Sequence, residues 1–283
     1  MAGALILVAT PIGNLGDLSP RAVEALRSAD VIAAEDTRRT RTLLSHAGVR
    51  GSRRLRAIHG HNERRMVAQV VDEVSRGERV VYVTDAGMPG VSDPGERLVR
   101  ACADAGLAVE VVPGPSALLA ALVVSGLPTQ RFAFEGFLPR KGKARAERLA
   151  ALAAEERTVV LFESPPRVAT TLTDLAEVCG PQRGVAVARE LTKRFEDVWR
   201  GTLGAALNHV AEHEPRGEHV IVLGPAEPAP RAVDDEALDG AVGAALADGL
   251  STRDAASRVA GELGVPKRRA YDAATRLTRA ASS

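Results

Sequence analysis

Apolar runs of strand length recur along the first part of the chain, separated by longer stretches in which apolar residues return every three or four positions. The runs are LILVA (5–9), VIAAE (31–35), RVVYVTD (79–85) and AVEVVPG (108–114). Between them, SPRAVEALRSA, ERRMVAQVVDEVSRG and DPGERLVRACADAG have helical spacing with Ser, Asp or closing-Gly signals at their ends. Strands apolar on both faces that alternate with helices predict a parallel sheet covered on both sides. A second block holds RFAFEGF (131–137), RTVVLFES (157–164), GVAVARE (184–190), FEDVWRGTL (195–203) and GEHVIVLG (217–224). Its third and fourth runs succeed each other as a hairpin does, which predicts a mixed sheet and a second α/β domain. Ser164 and Pro165 have the character of an N-cap and first turn for a helix reaching about Val178.

The pattern stops at PAEPAPRAVDDE (225–236), rich in proline and acid and read as a linker. Beyond it, STRDAASRVAGELGVPKRRAYDAATRL (251–277) predicts two short helices, Gly264 closing the first and Pro266 opening the second. A helix, a tight turn and a helix starting at Lys267, Arg268 and Arg269 have the grammar of a helix-turn-helix. The expected organisation is an α/β domain over 1–117, a second over 118–224, the linker, and a helical extension over 237–283.

A length of 283 residues suits about two domains. With 45% hydrophobic and 26% charged residues the balance is that of a soluble globular protein. No apolar run approaches the ~20 residues of a membrane span, and the opening MAGALILVATPIGN lacks a basic n-region. Cys102 and Cys179 have no CxxC or CxxH companion, so neither a disulfide framework nor a zinc knuckle is indicated and the cytoplasm is the expected compartment. A net charge of +1 gives no general attraction to nucleic acid. The basic clusters RRTR (38–41), RRLR (53–56), ERR (63–65), RKGKARAER (140–148) and PKRR (266–269) each suit a solvated helix face, but together they point to a polyanion.

Ligands of open α/β sheets sit beyond the carboxyl ends of the strands. Here those tips are TPIGNLGD (10–17), EDTRRT (35–40), HGHNE (59–63), DAGMPGVSDPG (85–95) and PGPSA (113–117). Gly13 and Gly16 superficially suggest a phosphate loop, yet neither GxGxxG nor GxxxxGK[ST] occurs. The loop DAGMPGVSDPG is long and stiff: its glycines allow close backbone approach and its prolines restrict its conformations, a build suited to gripping a ligand by backbone groups. In PGPSA, Ser116 can cap a helix and Ala117 can leave room for a flat ring.

VATPIGNLGDLSPRA, AEDTR, TDAGMPGVSDPG, VPGPSALLAAL, FEGFLPRKG, LFESPPR and ARELTKRFEDVWRGTL resemble, in order and spacing, the RsmI-type 16S ribosomal RNA ribose 2′-O-methyltransferases, a branch of the tetrapyrrole methylase family. The resemblance spans Leu5 to about Gly224. It implies two α/β domains with S-adenosylmethionine in the cleft between them, usually a homodimer, acting on a decoding-centre cytidine of 16S ribosomal RNA in the small (30S) subunit. By motif it implies that Pro11, Asp85, Gly87, Pro89, Ser92, Asp93, Ser116 and Ala117 line the cofactor, with Phe162 and Glu163 from the second domain near its adenosine end. No metal is implied.

For the reacting hydroxyl the candidate groups are Asp36, at a strand tip beside Glu35 as a possible helix cap, and the pair Glu190 and Lys193, for which a plain surface ion pair is the competing reading. Arg38, Arg39, Arg41, Arg64, Arg65, Arg140 and Lys141 would track RNA phosphates, with His59 and His61 as substrate contacts rather than metal ligands. His209 and His213, four apart, lack the Glu of HExxH and read as surface residues. Five Phe, two Tyr and one Trp leave little for base stacking. Two rivals remain: tetrapyrrole ring methylation, and a ligand-sensing DNA-binding regulator using Lys267 to Arg269.

Overall fold

A computed structural model of the chain describes residues 3–49, 54–58, 62–92, 95–213, 215–226 and 234–281. It divides into two compact units, 1–226 and 227–283. The larger unit holds two five-stranded sheets.

The first sheet is parallel, with β1 (Ala4–Val8), β2 (Val31–Ala34), β3 (Arg54–Ala57), β4 (Arg79–Val83) and β5 (Ala108–Val112) in the order β3-β2-β4-β1-β5. Helices α1 (Pro20–Ser28), α2 (Thr37–His46), α3 (Glu63–Ser75) and α4 (Glu96–Asp104) form its connections. One face packs on Leu26 of α1 and Leu43 of α2, the other on Met66, Val70 and Val74 of α3 and Leu98 of α4. Leu26 and Leu98 are fully buried, so truncating either to alanine costs about 2–5 kcal/mol. α1 starts where the sequence directs it: Ser19 Oγ accepts Ala22 N–H at 3.1 Å and Pro20 fills the first turn.

Strand β3 is a departure from expectation, because RRLR reads as a basic cluster. Arg56 Nη2 lies 2.8 Å from Glu73 Oε1, and Arg54 pairs with Glu73 and Glu78. These cations neutralise buried and half-buried carboxylates at the sheet edge and are not reserved for a polyanion.

The second sheet contains β6 (Phe132–Phe137), β7 (Thr158–Glu163), β8 (Gly184–Arg189), β9 (Asp197–Thr202) and β10 (His219–Leu223) in the order β6-β7-β10-β8-β9. It is mixed: β6 and β7 are parallel, whereas β10 runs antiparallel to both β7 and β8, and β8–β9 is antiparallel. α5 (Ala117–Val124) covers one face, and α6 (Lys143–Ala153), α7 (Val168–Cys179) and α8 (Leu203–Glu212) belong to the core on the other. Ser164 does not cap: its Oγ bonds Glu163 Oε1 at 3.3 Å, a 3₁₀ turn spans Pro165–Arg167, and α7 follows. Ala121 and Leu122 of α5 pack with Val160, Val220 and Ile12, so the tip of β1 is embedded in the core of the second sheet.

Among the described residues, 234–281 form α9 (Asp235–Ala247), α10 (Thr252–Leu263) and α11 (Lys267–Ala281) around a core of their own. α9 begins inside the stretch expected as linker, capped by Asp234, whose Oδ1 accepts Ala237 N–H at 2.7 Å. Gly264, in the left-handed region at φ 63°, ends α10.

Candidate active site

Strands β1 and β4 are neighbours whose connections depart to opposite sides, which opens a crevice at their carboxyl ends. Their tips are joined by a two-way backbone pair: Thr10 N–H to Gly87 O and Gly87 N–H to Thr10 O, both 3.0 Å. Gly87 sits at φ 79°, a conformation that favours glycine. The second sheet brings its own tips to the same place. Because β10 is antiparallel to β7 and β8, its first residue, His219, lies opposite Glu163 at the end of β7 and Arg189 at the end of β8.

The space enclosed is a cavity of about 340 Å³. The first sheet contributes Ile12, Ala86 to Met88, Val91 and Ser92; Ser116 and Ala117 come from the corner before α5. The second contributes Phe137, Phe162 to Pro165, and Glu218 to Val220. Of the residues expected at the cofactor, Gly87, Ser92, Ser116, Ala117, Phe162 and Glu163 meet here. Pro11 and Asp85 line a separate pocket, Pro89 lines neither, and Asp93 lies outside the described residues.

The polar groups around the cavity are firmly held. Ser116 Oγ caps α5 by accepting Leu119 N–H at 3.4 Å, leaving its own proton to donate. Glu163 is buried and fully engaged: its carboxylate accepts from Ser164 N–H at 2.8 Å and Thr171 Oγ1 at 2.7 Å, and Arg167 lies 3.4 Å away. Phe162 meets Phe134 and Phe137 edge-on, with centroids 4.9 and 5.7 Å apart. His219 is buried, which pushes its imidazole below the ordinary pKa; Nδ1 bonds Gly217 O at 3.0 Å, leaving Nε2 as an acceptor.

Glu190 and Lys193 stand beside this wall. Lys193 Nζ donates to Glu190 Oε1 at 2.8 Å and to Glu218 Oε2 at 2.9 Å, while Glu190 Oε1 also accepts Glu218 N–H at 2.8 Å. The Lys193 hydrogen bond, then the Glu218 amide, hold the Glu190 carboxyl below its usual range. Burial works against the Lys193 ammonium, but its hydrogen bonds to Glu190 and Glu218 prevail and raise its pKa. The turn is locked to the first sheet, since Asn14 N–H donates to Thr192 Oγ1 at 3.2 Å and Gly13 leaves room for Lys193 and Thr192. Gly13 therefore serves a close approach between the two sheets' loops.

Asp36 occupies a different tip. Its Oδ1 caps α2 by accepting Arg38 N–H at 2.7 Å, its Oδ2 pairs with Arg38 Nη2 at 3.2 Å, and the Arg38 side chain, then its amide, lower the carboxyl pKa. Glu35, the expected cap, accepts Asp85 N–H at 3.3 Å. Arg39 Nε lies 3.5 Å from Asp85 Oδ2. Arg41, Arg65, Arg140 and Lys141 are exposed; His59, His61 and the side chain of Arg64 lie outside the described residues. Further along the 140–148 cluster, charge is used internally: Arg145 is buried 2.6 Å from Asp174, and Arg148 pairs with Glu135. His209 stacks between Trp199 and His213, at centroid distances of 5.2 and 4.7 Å. Glu218 and His219 escaped sequence reasoning, as they lie at the start of a strand and only the antiparallel course of β10 brings them to the cleft.

Residues 4–207 match the tetrapyrrole (corrin/porphyrin) methylases. The ribosomal RNA small subunit methyltransferase I of Synechocystis sp. is 45% identical over 276 residues, covering 97% of this chain and 98% of that protein. Its namesake in Xylella fastidiosa is 53% identical over 223 residues, 78% of this chain and 81% of that one. In fold, the chain is similar to uroporphyrin-III C-methyl transferase from Thermus thermophilus complexed with S-adenyl homocysteine, with a TM-score of 0.54 at 21% identity, covering 78% of this chain and 97% of the other. The chain belongs to the tetrapyrrole methylase family and, within it, to the group of ribosomal RNA small subunit methyltransferases I.

Proposed function

We propose that the protein is an S-adenosylmethionine-dependent methyltransferase that modifies the ribose 2′-oxygen of a nucleotide in small-subunit ribosomal RNA, the target being a decoding-centre cytidine in the assembled 30S subunit. The observation that supports this most is the walled cavity at the crevice between β1 and β4, in a chain 45% identical to a ribosomal RNA small subunit methyltransferase I over 98% of that protein. Its chemistry suits the cofactor. A cavity of about 340 Å³ is within the roughly 300–1,000 Å³ of small-ligand sites. Ala86, Gly87 and Ala117 let a ligand approach the backbone, Phe162 offers an apolar surface for a flat ring, and Ser116 Oγ and His219 Nε2 offer a donor and an acceptor.

Held there by Ser116, Ala117, Phe162 and His219, the cofactor would supply an electrophilic methyl group to the ribose 2′-oxygen, whose hydroxyl gives up its proton. What the protein adds is mainly placement, for which about 7–11 kcal/mol of the barrier is available. Lys193, kept cationic by Glu190 and Glu218, steadies charge developing on the ribose oxygen or its neighbouring phosphate. Asp36 fixes the tip of β2 through Arg38 and the start of α2. Arg41, Arg65, Arg140 and Lys141 meet RNA phosphates on the rim. A cytoplasmic homodimer is the working form; outward-facing Val111 on the edge strand β5 and Leu119 and Val123 on α5 favour a second copy there.

The test is methyl transfer from labelled S-adenosylmethionine to 30S subunits lacking the modification, with free 16S RNA and a porphyrinogen as parallel acceptors. Label in the subunit alone is expected. Label only in the porphyrinogen would replace this reading with ring methylation.

A further inference from the structure

Behind the Thr10–Gly87 backbone pair lies a second pocket of about 220 Å³. Consecutive residues of the same two tips line the two spaces: Thr10, Pro11, Thr84 and Asp85 the second, Ile12 and Ala86 to Met88 the first. The two spaces therefore adjoin where Pro11 gives way to Ile12 and Asp85 to Ala86. The floor of the second pocket is hydroxylic. Thr10, Thr40 and Thr84 are all buried; Thr10 Oγ1 donates to Thr84 O at 3.2 Å and Thr40 Oγ1 to Asp36 O at 3.0 Å, so their oxygens are left as acceptors. Leu15 and Leu43 form an apolar wall. At the mouth stand Asp85, oriented by Asp36 N–H at 3.0 Å on Oδ1, and Arg39, 3.5 Å from Oδ2.

Hydroxyl acceptors below, an apolar wall beside them, and one carboxylate and one guanidinium at the rim suit a sugar joined to a planar base and an anion. We propose that this pocket seats the acceptor nucleotide, with Asp85 Oδ2 receiving the 2′-hydroxyl and Arg39 the adjacent phosphate. This rests on the methyltransferase reading and extends it. Asp85 then accepts the proton that the hydroxyl loses as its oxygen is alkylated, so the carboxylate becomes a carboxylic acid and is restored by solvent. Asp36, whose carboxylate is engaged by Arg38, positions Asp85 through its amide.

Three variants test the assignment. Thr42 lines the pocket from the exposed side of α2, so Thr42→Trp fills the space without touching the core. Asp85→Asn keeps an oxygen for Asp36 N–H but cannot take a proton, and Arg39→Ala removes the phosphate partner. For each, S-adenosylmethionine affinity is measured by calorimetry, 30S binding by filter retention, and methyl transfer in a single turnover. Cofactor affinity within about two-fold of wild type is expected for all three. Thr42→Trp should lower transfer at least about 100-fold. Asp85→Asn should lower the rate about 10²-fold or more with 30S binding retained. Arg39→Ala should weaken 30S binding and flatten its salt dependence. Transfer within about three-fold of wild type by folded Thr42→Trp, or by Asp85→Asn, overturns the assignment. Absence of transfer by the wild-type protein to any RNA would instead overturn the methyltransferase reading, so the two failures are distinguishable.

Discussion

Replacing Gly13 by alanine should loosen the joint between the two sheets at the cleft. A Cβ at this position would collide with Lys193 Cγ, come within 2.8 Å of Thr192 Oγ1 and lie 3.1 Å from Leu191 O. The lysine end can move, but Leu191 O is backbone and Thr192 Oγ1 holds Asn14 N–H. Relief therefore costs overpacking strain of about 1–3 kcal/mol, including loss of that hydrogen bond at roughly 0.5–1.5 kcal/mol. Displacing Lys193 also breaks its bonds to Glu190 and Glu218, a contribution kept to about 1 kcal/mol because Glu218 is largely exposed. A total near 2 kcal/mol corresponds to a melting temperature lower by about 4–8 °C for a unit of this size. Cofactor affinity should fall as well, since neighbouring Ile12 lines the cavity. The discriminating assay is a double-mutant cycle of thermal stability. Lys193→Ala removes Cγ and with it the worst contact, so Gly13→Ala should cost at least about 1 kcal/mol less in that background. A Gly13→Ala protein as stable as wild type, or a penalty equal within about 0.3–0.5 kcal/mol in both backgrounds, would refute the reasoning.

Other consequences follow from individual side chains. Ala117→Phe should fill the larger cavity and reduce S-adenosylmethionine affinity by at least about 100-fold in calorimetry, with the circular dichroism spectrum unchanged; retained affinity would place the cofactor elsewhere. For His219 the sign is set by burial, which holds the folded-state pKa below 6.5. Below that pH the unfolded chain takes up a proton the folded chain resists, so stability is constant above about pH 6.5 and falls as pH drops toward the folded pKa. Melting scans should show this slope in the wild type and a smaller one in His219→Met. Glu163→Gln leaves Arg167 and Thr171 without their carboxylate partner and should destabilise the protein by about 2–4 kcal/mol in urea titration, a neutral result contradicting the buried network. Lys193→Met should slow single-turnover transfer by about 10²-fold while leaving cofactor affinity nearly intact.

The apolar strands were plain in the sequence because burial on both faces requires an uninterrupted apolar run, as in Val31–Ala34 and His219–Leu223 after its first residue. Strand β3 was hidden by its charge: Arg54 and Arg56 lie at a sheet edge, and only the fold brings Glu73 and Glu78 to them. Helix α9 falls within the expected helical extension, and only its start, Asp235 and Glu236, was assigned to the linker, because its acidic residues resemble the stretch before it. The cleft was half legible. Tips of parallel strands follow from the rule for α/β sheets, which located the loops, and the family resemblance singled out Gly87, Ser92, Ser116 and Ala117 within them. The rule says nothing of an antiparallel strand, whose beginning rather than end reaches the ligand edge, and so Glu218 and His219 were missed. Nor can spacing tell that one loop passes from one pocket to the next between Asp85 and Ala86, which separates Asp85 from Gly87.

The central claim is most directly tested by where the methyl group arrives. Unmodified 30S subunits are incubated with the protein and labelled S-adenosylmethionine, the RNA is digested, and the labelled nucleoside is identified by mass spectrometry and mapped to its fragment. The account predicts a single 2′-O-methylated cytidine from the decoding centre, formed by the wild type and at least about 100-fold more slowly by Thr42→Trp. A methyl group on a base, or no label in RNA from a protein that binds the cofactor, would contradict it.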